Sequence, residues 1–413
     1  MSCITGESRR GKNYKYQDFR RRKHGSKKTS QRDSIQYRNN TRKKMSHLLK
    51  KRKLDKNVQE NLYFDSYSDV TIHEEMIADH VRTNTYRTAI LRNSDAIRDR
   101  VVLDVGAGTG VLSVFCAQAG ARKVYAVEAC SIAEQAVKIV RQNKMDDRIE
   151  VIRGAVETVE LPERVDVIVS EWMGYALLHE SMLNSVLFAR DKWLKPGGLM
   201  LPCKAELYIS PINDLVVEDR LNFWRTVKDQ YGVDMSPMCD FAKGCIVNGD
   251  IAVTLVTVED VLSHPCKLAE LDLHAVTTEQ LRSVRGSFAC ECFGAAAVNA
   301  LCVWFTVSFP CGDGEEGGRP LVLSTSPFKP ETHWKQAVLY LDAPRDVVQD
   351  TRVAGEVHLY PSEESARHVC IHVECAIGEH KKQCKTFSIP DGYSEHQHQH
   401  AAAAAVVVVV VVW

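Results

Sequence analysis

Four short apolar runs separated by helical stretches fix the architecture of the chain's middle. Val101 to Val105, Lys123 to Val127, Ile149 to Ile152 and Val165 to Val169 are rich in β-branched residues, and helical segments fall near Gly110 to Ala119 and Ile132 to Asn143. Strands covered on both faces read as continuous apolar runs, and a helix between two of them is the crossover that returns the chain parallel. Residues from about 101 to 201 are therefore expected to form a doubly wound parallel sheet, an α/β fold of Rossmann-like type. From about Ala205 the texture changes to alternating strands, among them Ala296 to Phe309, Gln336 to Leu341 and Arg367 to Ile377. Long helical repeats are absent there, which predicts an antiparallel β-barrel domain. Val216 to Tyr231 interrupts it with an amphipathic helical insertion whose Leu221, Phe223, Trp224 and Tyr231 need a cover, and a partner subunit is a reasonable one.

At 413 residues the chain is long enough for two packed domains, and 45% hydrophobic residues exclude a wholly disordered protein. The expected divisions are a tail over 1–57, a first domain over 58–204, a second over 205–390 with its arm at about 216–231, and a low-complexity tail over 391–413. The formal net charge of +0 hides an asymmetry: up to Lys56 there are 20 Lys or Arg against 4 Asp or Glu, a surplus of 16 that the remainder must balance. An acidic body behind a basic, disordered arm attracts cations and repels nucleic acid from its main surface. Within the arm, Lys50-Lys51-Arg52-Lys53 is a cluster of the nuclear-import kind, and Met45 just before it could be the true start. The last residues, five alanines, seven valines and Trp413, read as a translated repeat that favours aggregation. No secretory pattern opens the chain and no apolar run approaches the roughly 20 residues a membrane helix needs, so a soluble, intracellular protein without a membrane partner is expected. The 14 cysteines are scattered without a Cys-x-x-Cys pair and read as reduced core thiols, with no metal site.

Val102 to Val105 runs into Gly106-Ala107-Gly108-Thr109-Gly110, a strand, a glycine-rich turn and a helix. Such glycines let the backbone approach a nucleotide, and an acid at the end of the next strand, Glu128, is placed for ribose hydroxyls. The dinucleotide fingerprint is incomplete, because Val111 stands where its last glycine belongs. Asp104 ahead of the glycines suits a ligand with an amino group, so S-adenosylmethionine matches better than NAD; a tight structural turn with Asp104 as a cap is the plain alternative. Upstream, His73, Met76, Asp79 and Arg82 recur every third residue, one face of a helix, which could be functional or a surface helix with Met76 packed inward. Immediately after the strand at Val169 comes Ser170-Glu171-Trp172-Met173-Gly174-Tyr175-Ala176-Leu177-Leu178-His179-Glu180. On a helix its two glutamates would sit on opposite faces about 13 Å apart, and on a strand roughly 30 Å apart. They can cooperate only if the segment folds back as a loop, for which Gly174 provides a turn. Two convergent carboxylates make a site for a cation; two solvated glutamates at a helix start are the alternative.

Taken together, Tyr63-Phe64-x-x-Tyr67, the Val102 to Gly110 segment, Ser170 to Glu180 and Thr332-His333-Trp334 resemble a type I protein arginine methyltransferase over about Tyr63 to Ile389. The resemblance implies a cofactor-binding Rossmann-like domain, a barrel domain and a dimer made by the arm. It places His73, Arg82, Gly106, Glu128 and Glu157 on S-adenosylmethionine, Arg82 at its carboxylate, and gives Met76 with Met182 the space near the transferred methyl; Asp104 and Gly108 of the turn and Tyr67 complete the expected cofactor site. Glu171 and Glu180 become the paired glutamates, and His333 with Asp79 the proton-accepting pair. Tyr63, Met182 and Trp334 fall on the substrate side, Trp334 as a wall of the groove. Implied substrates are arginines of histone tails and Arg/Gly-rich nuclear proteins, with a homodimer in the nucleus and no direct nucleic-acid substrate. A methyltransferase for small molecules or nucleic acid needs no convergent carboxylates, and a silent adaptor that reads arginine-rich tails transfers nothing. Labelled cofactor and an arginine-rich peptide separate the three.

Overall fold

The computed structural model describes residues 56–312 and 319–389. The basic tail with its import cluster, Met45 and the Ala/Val run therefore lie outside the described residues, apart from the start of the first helix. That helix, α1 (Lys56–Ser66), is followed by α2 (Val70–Ala78), α3 (His80–Arg92) and the short α4 (Ser94–Ile97). Then come β1 (Val101–Val105), α5 (Val111–Gln118), β2 (Lys123–Glu128), α6 (Ala133–Gln142), β3 (Ile149–Arg153), β4 (Val165–Val169), α7 (Leu183–Trp193) and β5 (Leu194–Leu201). These five strands form one parallel sheet in the order β3-β2-β1-β4-β5. Every residue of β1 is buried, as its unbroken apolar run requires.

The remaining strands are antiparallel. The barrel domain comprises β6 (Lys204–Ile212), β7 (Ala252–Thr254), β8 (Cys266–Asp272), β9 (Val284–Glu291), β10 (Ala296–Phe309), β11 (Leu321–Ser324), β12 (Gln336–Val347), β13 (Arg352–Pro361), β14 (Val369–Ile377) and β15 (Gln383–Ser388). One sheet has the order β7-β12-β10-β6-β8 with β11 on β10, and the other β15-β14-β13-β9. Their alternating inward residues, such as Val353, Val357 and Leu359 of β13, join a core continuous with that of the parallel sheet. Between β6 and β7 the expected insertion is a helical hairpin, α8 (Leu215–Tyr231) and α9 (Met238–Ile246). It leaves Phe223 53%, Tyr231 74% and Phe241 65% exposed.

The continuous helix expected through His73 and Arg82 is broken at Asp79. That residue closes α2 by donating its N–H to the Glu75 carbonyl, and opens α3 by accepting from the Arg82 N–H through its side chain. An aspartate is a strong N-cap and a weak helix-interior residue, so one continuous face becomes two helices with a carboxylate held at the corner.

Candidate active site

In an open α/β sheet ligands bind beyond the carboxyl ends of the strands, where the strand order reverses. Here the reversal lies between β1 and β4, which are hydrogen-bonded neighbours with Asp104 opposite Val169. The chain leaving β1 is the glycine turn and the chain leaving β4 is the glutamate loop. Sheet topology alone therefore sets the cofactor turn and Glu171 side by side. Gly106 (φ +70) sits in the left-handed region, which disfavours a side chain, and a Cβ there would also push aside the flexible tip of Met182, whose Cε lies 2.3 Å away. Glu128, at the end of β2, accepts from the Gly108 N–H at 2.8 Å and from the Cys130 N–H at 2.7 Å, which ties the turn to the neighbouring strand. Its carboxylate keeps lone pairs for further donors.

The glutamate loop does fold back. Gly174 and Leu177 exchange backbone hydrogen bonds at 3.1 and 3.0 Å. The turn is not made by a permissive φ at Gly174. A Cβ there would lie 2.0 Å from the His179 carbonyl oxygen, so glycine is needed for close approach, and the left-handed backbone falls on Ala176, Leu177, Glu180 and Ser181 instead. Tertiary bonds anchor its start at Ser170. Ser170 Oγ donates to the Val105 carbonyl at 2.8 Å, and the Tyr86 hydroxyl donates to the Ser170 carbonyl at 3.0 Å. As a result Glu171 and Glu180 face one cavity.

Each carboxylate is held by its own set of donors. Arg82 Nε donates to Glu171 Oε2 at 3.0 Å, both side chains being under 9% exposed. Arg82, expected at the cofactor carboxylate, thus lines the cavity while gripping the substrate-side glutamate. Tyr67 donates its hydroxyl to Glu180 Oε2 at 2.6 Å, and the Tyr63 hydroxyl lies beside the same carboxylate. Burial pushes Glu180 above the usual carboxylate range; the two tyrosines pull it down, the Glu171 charge pushes it up and Arg367 pulls it down. Burial also drives both tyrosine hydroxyls well above their usual value, so they remain donors. His73 Nε2 donates to the Tyr67 carbonyl at 2.9 Å and fixes the segment from which Tyr67 projects.

From the barrel, the loop before β12 brings His333 Nδ1 to 2.8 Å from Asp79 Oδ2, and the His333 N–H donates to the same oxygen at 3.0 Å. Burial alone would raise Asp79, but the bonds from His333 and from the Arg82 N–H hold it below the usual range. Asp79 and His333 are not among the residues that line the cavity, and two further expectations are corrected. Trp334 is not a wall of the cavity: it is 4% exposed, and its indole N–H donates to the Met173 carbonyl at 2.7 Å, bracing the glutamate loop from behind. Asp104 does not line the cavity either. It is fully buried beneath the glycine turn, where Ser113 Oγ donates to Oδ2 at 2.6 Å while Oδ1 has no partner among the described residues, and burial raises it to about 7.

The cavity of about 380 Å³ is lined by Tyr63, Tyr67, His73, Met76, Arg82, Gly106, Gly108, Glu128, Glu157, Glu171, Glu180 and Met182. It fits a ribosylated sulfonium: a glycine cradle that a Cβ would fill, acids for hydroxyl and amino donors, and a buried cation. Sequence reasoning missed Glu60, Phe64, Cys130 and Arg367, which line it as well. Arg367 meets Glu60 across 307 residues of chain, a distance over which no local pattern signals contact.

Residues 102–198 match a methyltransferase domain, and residues 203–380 match the arginine methyltransferase oligomerization subdomain. The chain is 71% identical to protein arginine N-methyltransferase 6 of Danio rerio over 84% of its own length and 99% of the relative's. Among solved structures, it resembles the Trypanosoma brucei PRMT1 enzyme-prozyme heterotetrameric complex with AdoHcy, with a TM-score of 0.71, 36% identity and coverage of 79% of this chain and 100% of that one. It likewise resembles Arabidopsis thaliana protein arginine methyltransferase 10, with a TM-score of 0.70, 33% identity and coverage of 79% and 100%. A glycine cradle beside two converging glutamates, on a Rossmann-like sheet fused to this barrel, places the chain in the protein arginine methyltransferases, the family that methylates protein arginines with S-adenosylmethionine.

Proposed function

We propose that the chain is a type I enzyme of this family, producing ω-monomethyl and asymmetric dimethyl arginine on basic nuclear proteins such as histone tails. The observation that carries the site assignment is the convergence of Glu171 and Glu180 on the cavity of the glycine turn. A guanidinium is charged at any accessible pH and spreads its charge over three nitrogens, which makes it a poor nucleophile. Two carboxylates beside it draw the positive charge to one side and leave lone-pair density on the nitrogen that faces the cofactor. When bound, S-adenosylmethionine supplies the electrophilic methyl. Gly106 and Gly108 would let it approach the backbone, Glu128 would receive ribose hydroxyls, and Glu157, Arg82 and His73 would hold and orient it from the rest of the cavity. Asp79 holds His333 by its Nδ1, so the ring's other nitrogen is free to take the proton that leaves the methylated guanidine. Met76 and Met182 border the transfer position and leave room for a second methyl on the same nitrogen.

The apolar faces of α8 and α9 support a homodimer, since a second copy is a natural cover for Phe223, Tyr231 and Phe241. The import cluster at Lys50 to Lys53 supports a nuclear location. The test is transfer of labelled methyl from the cofactor to an arginine-rich basic peptide, read by site-resolved mass spectrometry. Glu171→Gln and Glu180→Gln should each nearly abolish transfer with the fold intact. Near wild-type turnover in either variant sinks the paired-carboxylate mechanism, and symmetric dimethylarginine as product overturns the type I assignment.

A further inference from the structure

Arg367 takes no part in the reaction above, yet three parts of the molecule meet on it. It lies in the turn between β13 and β14, and its guanidinium forks onto Glu60 of α1, with Nε 3.0 Å from Oε1 and Nη2 on Oε2. The remaining nitrogen, Nη1, donates to the Glu180 carbonyl at 3.0 Å, and the Glu180 N–H donates back to the Arg367 carbonyl at 2.6 Å. The face of the guanidinium lies 3.8 Å from the Tyr63 ring centre and 5.2 Å from that of Phe64. Beside it Ser181 Oγ donates to the Ala366 carbonyl at 2.7 Å.

These contacts fall where two things need holding. Glu180 (φ +74) and Ser181 (φ +57) occupy the left-handed region without glycine, a conformation that persists only when its surroundings impose it. An 11-residue helix such as α1 is marginal on its own, yet it must keep Tyr63 in place on Glu180. We propose that Arg367 is a positioning residue for methyl transfer: paired with Glu60, stacked on Tyr63 and bonded to the Glu180 backbone, it latches α1 and the barrel turn around the Glu180 carboxylate. The proposal rests on the reading of Glu180 as a guanidinium-holding group. Besides Arg367, the titratable groups facing that carboxylate are Tyr63 and Tyr67 from the N-terminal segment and Glu171 from its own loop. Because the Arg367 charge favours the ionised form of Glu180, its loss has a signature that a purely structural role lacks.

The experiment measures kcat/KM of the full chain for an arginine-rich peptide from pH 6 to 9, with thermal melts as controls. In Arg367→Met the value should fall at least about tenfold, the scale of a lost bond to a charged group. Its acid limb should also move to higher pH, whereas Arg367→Lys, which keeps the charge, should hold the limb in place and recover part of the rate. A folded Arg367→Met protein with an unmoved limb overturns the proposal, whether or not it is slow. If that variant does not fold, Glu60→Gln decides: a loss of about threefold or more supports the latch, and a wild-type rate overturns it. Glu180→Gln separates the two readings. Turnover in that variant removes the assignment of Glu180 itself, while an inactive Glu180→Gln beside a wild-type-like Arg367→Met removes only the latch.

Discussion

Replacing Tyr67 by phenylalanine isolates one hydroxyl at the centre of the site. The ring packing against Tyr63, with centres 5.2 Å apart, survives the change, as does the bond from His73 to the Tyr67 carbonyl. What disappears is the 2.6 Å bond to Glu180 Oε2. A hydrogen bond to a charged group contributes about 1.5 to 3 kcal/mol, or roughly 10- to 150-fold in rate at 1.36 kcal/mol per decade. Tyr63 and Arg367 remain beside the carboxylate and favour its ionised form, so the lower end, about tenfold in kcat/KM, is expected. The sign of the pH effect follows from the same bond. Tyr67 lowers the pKa of Glu180, a group that must be ionised to hold a guanidinium. Removing the hydroxyl raises that pKa further, so the acid limb moves to higher pH and the variant loses most at the acid end. The assay is steady-state transfer to an arginine-rich peptide across pH 6 to 9. A Tyr67→Phe enzyme within twofold of wild type at every pH, with an unmoved limb, refutes the view that Tyr67 maintains Glu180 as an anion.

Three further perturbations reach other parts of the site. Gly106→Ala should keep the fold but weaken S-adenosylhomocysteine by at least about tenfold in calorimetry, because a Cβ at φ +70 meets Met182 and drives it into the cavity. Asp79→Asn keeps the helix cap but removes the charge beside His333, and should lower kcat about 10- to 100-fold with little change in peptide KM; the kcat/KM split checks it. Asp104 titrates at about 7 in the fold, above its unfolded value near 3.9, so it contributes most to stability below the unfolded pKa and that contribution is lost as pH rises through 7. The loss is about 4 kcal/mol, so the Tm advantage of Asp104→Asn over wild type should grow from pH 5 to pH 8; a pH-independent difference refutes it.

The parallel sheet was legible because its signals are local. β1 and β4 begin and end where their apolar runs do, as β10 does in the barrel, and α5 and α6 lie within one residue of expectation, whereas β5 has no comparable run and went unread. Sequence also placed the glycine turn, Glu128 and both glutamates. It did not place the break at Asp79, because a three-residue spacing looks alike on one helix or on two that share a cap. Nor did it resolve α9, whose role is to pack on α8. The roles of Trp334 and Asp104 were misread for a common reason: a motif marks a residue as near a site without saying on which side of the backbone it works. Arg367 read as the first residue of a strand, yet β14 starts at Val369 and leaves Arg367 in the turn.

The two halves of the chemistry differ in what holds them. The cofactor turn is local to the parallel sheet: the glycine turn and Glu128 sit at the ends of the adjacent strands β1 and β2, tied by bonds from the Gly106 and Ala107 N–H groups to the Val127 carbonyl and from the Gly108 N–H to the Glu128 carboxylate. The arginine side is assembled across the junction with the barrel. Glu180 sits in a loop with four left-handed residues, Ala176, Leu177, Glu180 and Ser181, each of a type that resists that conformation by roughly 1 to 2 kcal/mol. That strain is offset by the buried Leu177, by the Trp334 bond to Met173 and by the barrel turn at Ala366 and Arg367. His333 also arrives from the barrel and meets Asp79 only because α2 and α3 part there. A Rossmann-like sheet can therefore hold the cofactor by its own topology, whereas a site for a guanidinium exists only where the second domain forces the glutamate loop to turn back on itself.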